Sequence, residues 1–318
     1  MELLTYLSSL SIPNLFSRMP AAAAQGIIWG IMALGVYITF RLLNVSDLTV
    51  DGSFATGGAV TVMLLLRGLP AWAALLLAVL VGILTGLCTG LLHTKFGIPA
   101  ILAGILTQFA LYSINLRIMG KANQTASIKN FGMFWETNGK GFLMSSLYVP
   151  QALIAGLLLS AALVALLYWY FGTEQGSAMR ATGANPSMSR AQGINVDFVK
   201  VLGLMLSNGL VALASALYCQ YQGFADVNAG RGAIVIGLAA VIIGEVLFSR
   251  IFRNFAMRLL GVSLGAVVYY LVIQVVLNLG LNTNDLKLIS AFVVAIFLAV
   301  PYWKGKTLRD YWNAQAPK

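Results

Sequence analysis

AWAALLLAVLVGILTGLCTGLL, residues 71–92, decides the fold. It carries no charged side chain and is apolar on nearly every side. A helix that is apolar all round belongs inside a large core or inside lipid. About 20 such residues cross the ~30 Å hydrocarbon layer of a bilayer. In lipid, every backbone polar group must be paired within the segment, so the run is helical.

Working outward, the same reading applies to Gln25–Leu43, Asp51–Leu66, Pro99–Met119, Val149–Phe171, Val201–Tyr221, Ala233–Phe248, Met257–Leu279 and Leu286–Trp303. The expected fold class is an all-α polytopic membrane protein of about nine transmembrane helices. Asp51–Leu66 and Ala233–Phe248 are short. Residues 1–24 read as an N-terminal interfacial segment ending near Pro20, 25–303 as one membrane domain, and 304–318 as a cytoplasmic tail. The first 20 residues lack a basic start followed by a compact apolar core, so a cleaved signal peptide is not expected.

Only 9% of the 318 residues are charged and 59% are hydrophobic. A soluble domain carries about 25% charged residues, so lipid is the solvent for most of this chain. The formal net charge of +10 does not indicate nucleic acid, because Lys and Arg fall mainly between the apolar runs. With the loop Gly172–Lys200 inside the cell, about twelve of the 20 basic residues fall on the cytoplasmic side, as the positive-inside rule asks. Lys121, Lys129 and Lys140 then lie outside. Cys88 and Cys219 sit in separate apolar runs and His93 is alone, so neither a disulfide framework nor a metal site is indicated. Gly305–Lys306–Thr307 lacks the earlier glycine of a phosphate-cradling loop. No catalytic constellation is visible, and the chain is not expected to be an enzyme.

The most informative polar stretch is GTEQGSAMRATGANPSMSRAQGINVDFVK, residues 172–200. Asn185 followed by Pro186 starts a short helix, since Asn caps and Pro suits the first turn. The helix, about Pro186–Gln192, presents Met188 and Arg190 below the membrane. Two turns bury little by themselves, which suits a knob docking into another protein. The plainer alternative is an ordinary basic cytoplasmic loop.

This loop resembles the cytoplasmic coupling segment of the bacterial permease family that serves branched-chain amino acids, ribose and other sugars. The matching residues are Gly176, Arg180, Ala181, Gly183, Asn185, Ala191, Gly193, Ile194, Asn195 and Lys200. Residues 203–223, GLMLSNGLVALASALYCQYQG, resemble the family's next helix, and the stretch from Gly86 to Gly120 resembles another of its segments. The subgroup with an LTVDGSF-like second segment is the nearest, and some of its members are linked to aromatic amino acids. Departures are the count of nine helices, where many sugar permeases have ten, and the segment LNVSDLTVDGSFATGG.

The resemblance implies an importer permease in the bacterial cytoplasmic membrane, working by ATP-driven alternating access. Two permease chains would pair around a central path, identical copies being the simpler arrangement because one chain carries a complete coupling loop. Two ATP-binding subunits would carry ATP and Mg2+, no cofactor being bound by this chain, and an outer binding protein would deliver the cargo. Arg180, Gly183, Asn185, Pro186, Met188, Arg190 and Gly193 are the coupling candidates. A small polar nutrient is expected, an aromatic or branched-chain amino acid ahead of a sugar or nucleoside. An ion-coupled secondary transporter using Asp51 or Glu245, and a non-transporting scaffold, are the readings from other classes.

Polar groups at membrane depth are costly and face protein or water. Asp47, Thr49, Asp51, Ser53 and Thr56 interrupt the second run, followed by Gly57 and Gly58. This reads as an interrupted helix beside the path, or else as a cytoplasmic helix start capped by Asp47 or Asp51. Gly104, Gln108, Tyr112 and Asn115 share one helical face, with Thr107 beside it. Ser207, Asn208 and Ser215 form a weaker set. Path candidates are Asp51, Ser53, Thr107, Gln108, Tyr112, Asn115 and Asn208. Glu245 reads first as the partner of a basic residue. Asp226, Asn228 and Arg231, and the stretch from Lys121 to Lys140, are candidates for touching the binding protein.

Overall fold

A computed structural model describes residues 12–126, 143–146, 149–248, 254–278 and 286–303. Lys129, Glu136, Asn138, Lys140, Arg250, Arg253 and the tail from Lys304 lie outside them. Among the described residues the helices are α1 (Ile12–Val36), α2 (Thr49–Leu66), α3 (Ala71–Thr94), α4 (Ala100–Met119), α5 (Val149–Phe171), α6 (Glu174–Ala184), α7 (Pro186–Ala191), α8 (Val196–Gln222), α9 (Ala233–Phe248), α10 (Phe255–Asn278) and α11 (Leu286–Trp303). Each apolar segment read from the sequence coincides with a helix. Seven helices are long and apolar enough to cross a membrane by length and composition, and α9 is shorter.

The N-terminal boundary differs from the expectation. Residues from Ile12 onward already belong to α1, which runs through Pro20 without ending. Ala22 and Ala24 are buried, and Gly26 and Gly30 lie against the α10 backbone at Val267 and Ser263. Packing against α10 thus extends the helix beyond the run that hydropathy marks. A π turn, Tyr37–Leu42, closes α1.

Small residues let the helices approach closely. Gly82, Gly86 and Gly90 on α3 face Ala212, Leu204 and Val201 of α8, so these two helices run antiparallel. On α2, Ser53 meets Asn208 and Gly57 meets Ala212, so α2 runs parallel to α8.

These contacts place the start of α2 deep in the bundle. Asp47, just before it, bonds to Asn208, which lies midway along α8. At about 1.5 Å per residue, the 18 residues of α2 span about 27 Å and the 16 of α9 about 24 Å. Both fall short of the ~30 Å hydrocarbon thickness. Non-helical chain supplies the rest. Residues 43–48 climb from the end of α1 to the start of α2, and residues 223–232 descend from the end of α8 beside α2. There Ala225 lies against Gly58, and Gly230 against the Asp51 carbonyl. The expected interruption is therefore not within the Gly52–Gly58 run, where α2 is continuous, but ahead of both short helices.

Two strands were not anticipated. β1 (Asn123–Thr125) pairs antiparallel with β2 (Phe224–Asp226), in the register Asn123↔Asp226, Gln124↔Ala225, Thr125↔Phe224. The pair ties the end of α4 to the descending segment. Exposed leucines on α3, α4 and α5, among them Leu80, Leu84, Leu106 and Leu158, form faces suited to lipid.

Candidate functional site

The N-termini of α2 and α9 meet at Asp51. This residue lies in the first turn of α2, yet its carboxylate serves α9: Oδ2 accepts from the Gly232 N–H and Oδ1 from the Ile234 N–H, both at 3.0 Å. The first N–H groups of a helix have no partner of their own, and a carboxylate there also complements the helix dipole. Gly230 is required where it stands, because a Cβ would collide with the Asp51 carbonyl.

Asp51 also lines a cavity of about 280 Å³, with Gly52, Ala55, Gln108, Phe109, Tyr112, Asn115, Val227 and Arg231. Four expected path residues, Asp51, Gln108, Tyr112 and Asn115, thus come together. The Arg231 guanidinium lies 5.9 Å from the Tyr112 ring centre, a cation–π geometry. Asn115 is fully buried, and neither its Oδ1 nor its Nδ2 has a partner. Sequence reasoning had put Arg231 outside as a contact for another protein. The descending segment brings it to the cavity, which no local pattern reveals.

The other three path candidates, Ser53, Thr107 and Asn208, are held elsewhere. They belong to a dry polar seam between α2, α3, α4 and α8. Asp47 accepts from the Thr49 N–H at 2.9 Å and from Asn208 Nδ2 at 2.8 Å. Ser53 donates to Asn208 Oδ1 at 2.6 Å and meets the Thr85 hydroxyl at 2.7 Å. Thr49 meets Thr89 at 2.7 Å, and Thr89 donates to Thr107 at 3.0 Å. All seven side chains are buried. A closed set of bonds between helices is glue rather than lining in this conformation. The Thr85/Thr89 members were legible in principle, since they interleave with Gly82, Gly86 and Gly90 on one face of α3.

α7 forms at the Asn185–Pro186 start that the sequence marks. Asn185 Oδ1 accepts from the Met188 N–H at 3.1 Å, and Pro186 fills the first helical position. Gly193, at φ 83°, closes the helix. Ser189 points inward, while Met188 is 48% exposed and Arg190 projects outward. Ahead of it, residues read as loop form α6, with Thr173 as cap.

Arg180 and Gly183 differ in kind from the rest of the coupling set. Arg180 donates to the Phe171 carbonyl at 2.9 Å and lies 5.6 Å from the Phe255 ring centre, joining α6 to α5 and α10. Gly183 packs against the Leu42 carbonyl so closely that a Cβ would overlap it. Next to Leu42, Arg41 Nε pairs with Glu245 Oε1 of α9 at 3.0 Å. The basic partner expected for Glu245 is thus on α1.

A bundle of long apolar helices, with two shorter helices meeting at a polar cavity and a short exposed helix outside the bundle, defines a polytopic membrane permease. The chain belongs to the family described as the permease component of the branched-chain amino acid transport system, whose model matches residues 19–301. It is 40% identical over 279 residues to a tyrosine transport system permease protein of Clostridioides difficile (strain R20291), covering 86% of this chain and 88% of that one. A protein of Rickettsia prowazekii (strain Madrid E) described as uncharacterized is 32% identical over 280 residues, 87% of this chain and 95% of its own. The ribose import permease protein RbsC of Escherichia coli (strain K12) is 26% identical over 295 residues, covering 91% and 86%. The chain is therefore a multi-pass bacterial inner-membrane permease subunit of an ABC importer, and ATP is hydrolysed on a separate subunit.

Proposed function

We propose that this permease carries an aromatic amino acid, with tyrosine the first candidate, and that ATP-binding subunits drive it through α7. The cargo reading rests on the 40% identity to a permease named for tyrosine transport. Aromatic side chains beside a carboxylate and a guanidinium in the cavity suit it too. The ribose and other sugar relatives are more distant.

The observation that carries the drive mechanism is the rigid connection below the membrane. α7 offers Met188 and Arg190 to a partner, and α6 behind it abuts the end of α1 through Gly183 and Leu42. From there Arg41 reaches Glu245 on α9, whose other end meets the cavity at Asp51. Pressure on α7 has a packed route to the polar cavity. An ATP-bound motor shifts the permease only by binding one of its states more tightly than the other.

Two copies of the ATP-binding subunit, each with ATP and Mg2+, and an external binding protein complete the assembly. The cavity opens along α4, where Phe109 is exposed. Charged groups facing lipid there are costly, so a second, identical chain on this face is the simplest arrangement. The ion-coupled alternative draws no support from its two carboxylates, since Asp51 accepts from the α9 N–H groups and Glu245 pairs with Arg41.

Reconstitution in proteoliposomes with the ATP-binding subunit and the binding protein tests this. ATP-dependent L-tyrosine uptake is expected, and Met188→Ala with Arg190→Glu should abolish it without loss of thermal stability. Uptake by the permease alone, without ATP, would overturn the reading.

A further inference from the structure

The cavity at Asp51 is more than a passage in its chemistry. It combines a carboxylate, a guanidinium, aromatic surface and a fully buried amide with no partner. A buried amide without hydrogen bonds costs stability and calls for a ligand or water to satisfy it. Isolated charges at membrane depth are costlier still. Asp51 is balanced by the α9 N-terminus, and each of its oxygens accepts one N–H while retaining a second lone pair. Arg231 is exposed and, among the described residues, has Tyr112 as its aromatic neighbour.

The volume, about 280 Å³, equals that of about nine liquid waters. This has room for one amino acid or one monosaccharide. A neutral sugar would offer no charge to Arg231 or to the remaining lone pairs of Asp51. A zwitterion engages both, and Phe109 and Tyr112 offer ring surface for an aromatic side chain.

We infer that this cavity is a cargo-binding site inside the permease itself, holding a zwitterionic aromatic amino acid with its carboxylate on Arg231, its ammonium at Asp51 and Asn115 as a further hydrogen-bonding partner. The inference rests on the amino-acid importer reading and adds that selectivity is exercised in the membrane as well as by the binding protein.

The test is equilibrium binding to the permease–ATPase complex in nanodiscs, with the binding protein left out. L-[3H]tyrosine is the probe. The competitors are tyramine, which lacks the carboxylate, 3-(4-hydroxyphenyl)propionate, which lacks the ammonium, and D-ribose. Saturable tyrosine binding is expected, with both truncated analogues weaker by about tenfold or more, since hydrogen bonds to charged groups carry that much. Arg231→Gln, at an exposed position that should fold, is expected to weaken tyrosine by a similar factor while leaving tyramine unchanged. Asn115→Ala provides a second, independent loss. No saturable binding to a complex that imports tyrosine once its binding protein is added overturns the site and leaves the importer standing. Equal affinity for tyrosine and tyramine overturns it as well, as does a second permease chain filling the cavity. If ribose binds and tyrosine does not, both the site's chemistry and the amino-acid reading fall.

Discussion

Asp51 illustrates how one residue can join two helices that the sequence keeps far apart. Replacing it with Leu removes acceptors from two N–H groups of α9, at a cost of about 1–3 kcal/mol each. Asn keeps one acceptor and should cost less. Melting of the purified protein in detergent should rank wild type above Asp51→Asn, and that above Asp51→Leu. Glu245 and Arg41 are 9% and 14% exposed. Removing one partner of such a buried pair costs about 3–5 kcal/mol, whereas apolar replacement of both is far milder. The double variant Arg41→Met/Glu245→Leu should therefore melt above either single variant. Asn208 belongs to the seam, so Asn208→Leu should lower the melting temperature, and a purely transport-specific defect would return it to the path. The sequence puts Gln108, Tyr112 and Asn115 on one helical face, and the structure gathers them with Asp51 around one cavity. The sequence did not separate them from Ser53, Thr107 and Asn208, because a hydroxyl or amide facing a neighbouring helix reads the same as one facing water.

At the scale of elements, apolar length was the legible quantity. The second and seventh segments looked short because each helix is preceded by non-helical chain packed within the bundle, which hydropathy alone does not reveal. Bonds from Asp47 to Asn208 and from Asp51 to Gly232 place these helix starts within the bundle, and they join parts of the chain separated by about half its length. The α7 start was readable from Asn185–Pro186, because capping is local chemistry. The π turn ending α1 and the β1–β2 pair were not, since both depend on partners distant in sequence. Gly183 makes the tightest of the contacts that join α6 to α1. Gly183→Ala should fold with a loss of about 1–3 kcal/mol from overpacking and uncouple ATP hydrolysis from uptake, both measurable in the reconstituted complex. Normal coupling in that variant would place the transmission route elsewhere.

Across the whole molecule, few charges and many apolar residues make a multi-pass membrane protein, and with α7 read as cytoplasmic about twelve of the 20 basic residues fall inside. The exposed leucines of α3 and α5, such as Leu80 and Leu158, suit lipid, and the polar cavity opens beside Phe109 on α4. Composition could indicate the first and not the second, because a cavity is made by helices converging. The claim that energy enters through α7 is tested most directly by disulfide cross-linking. In a Cys88→Ser/Cys219→Ser background, a cysteine at position 188 is paired with cysteines placed on the ATP-binding subunit. The cross-link should form in the assembled importer, and reduction should restore ATP-driven tyrosine uptake. Labelling of position 188 by an impermeant reagent from outside the cell, or uptake with this position remote from the ATPase, would contradict it.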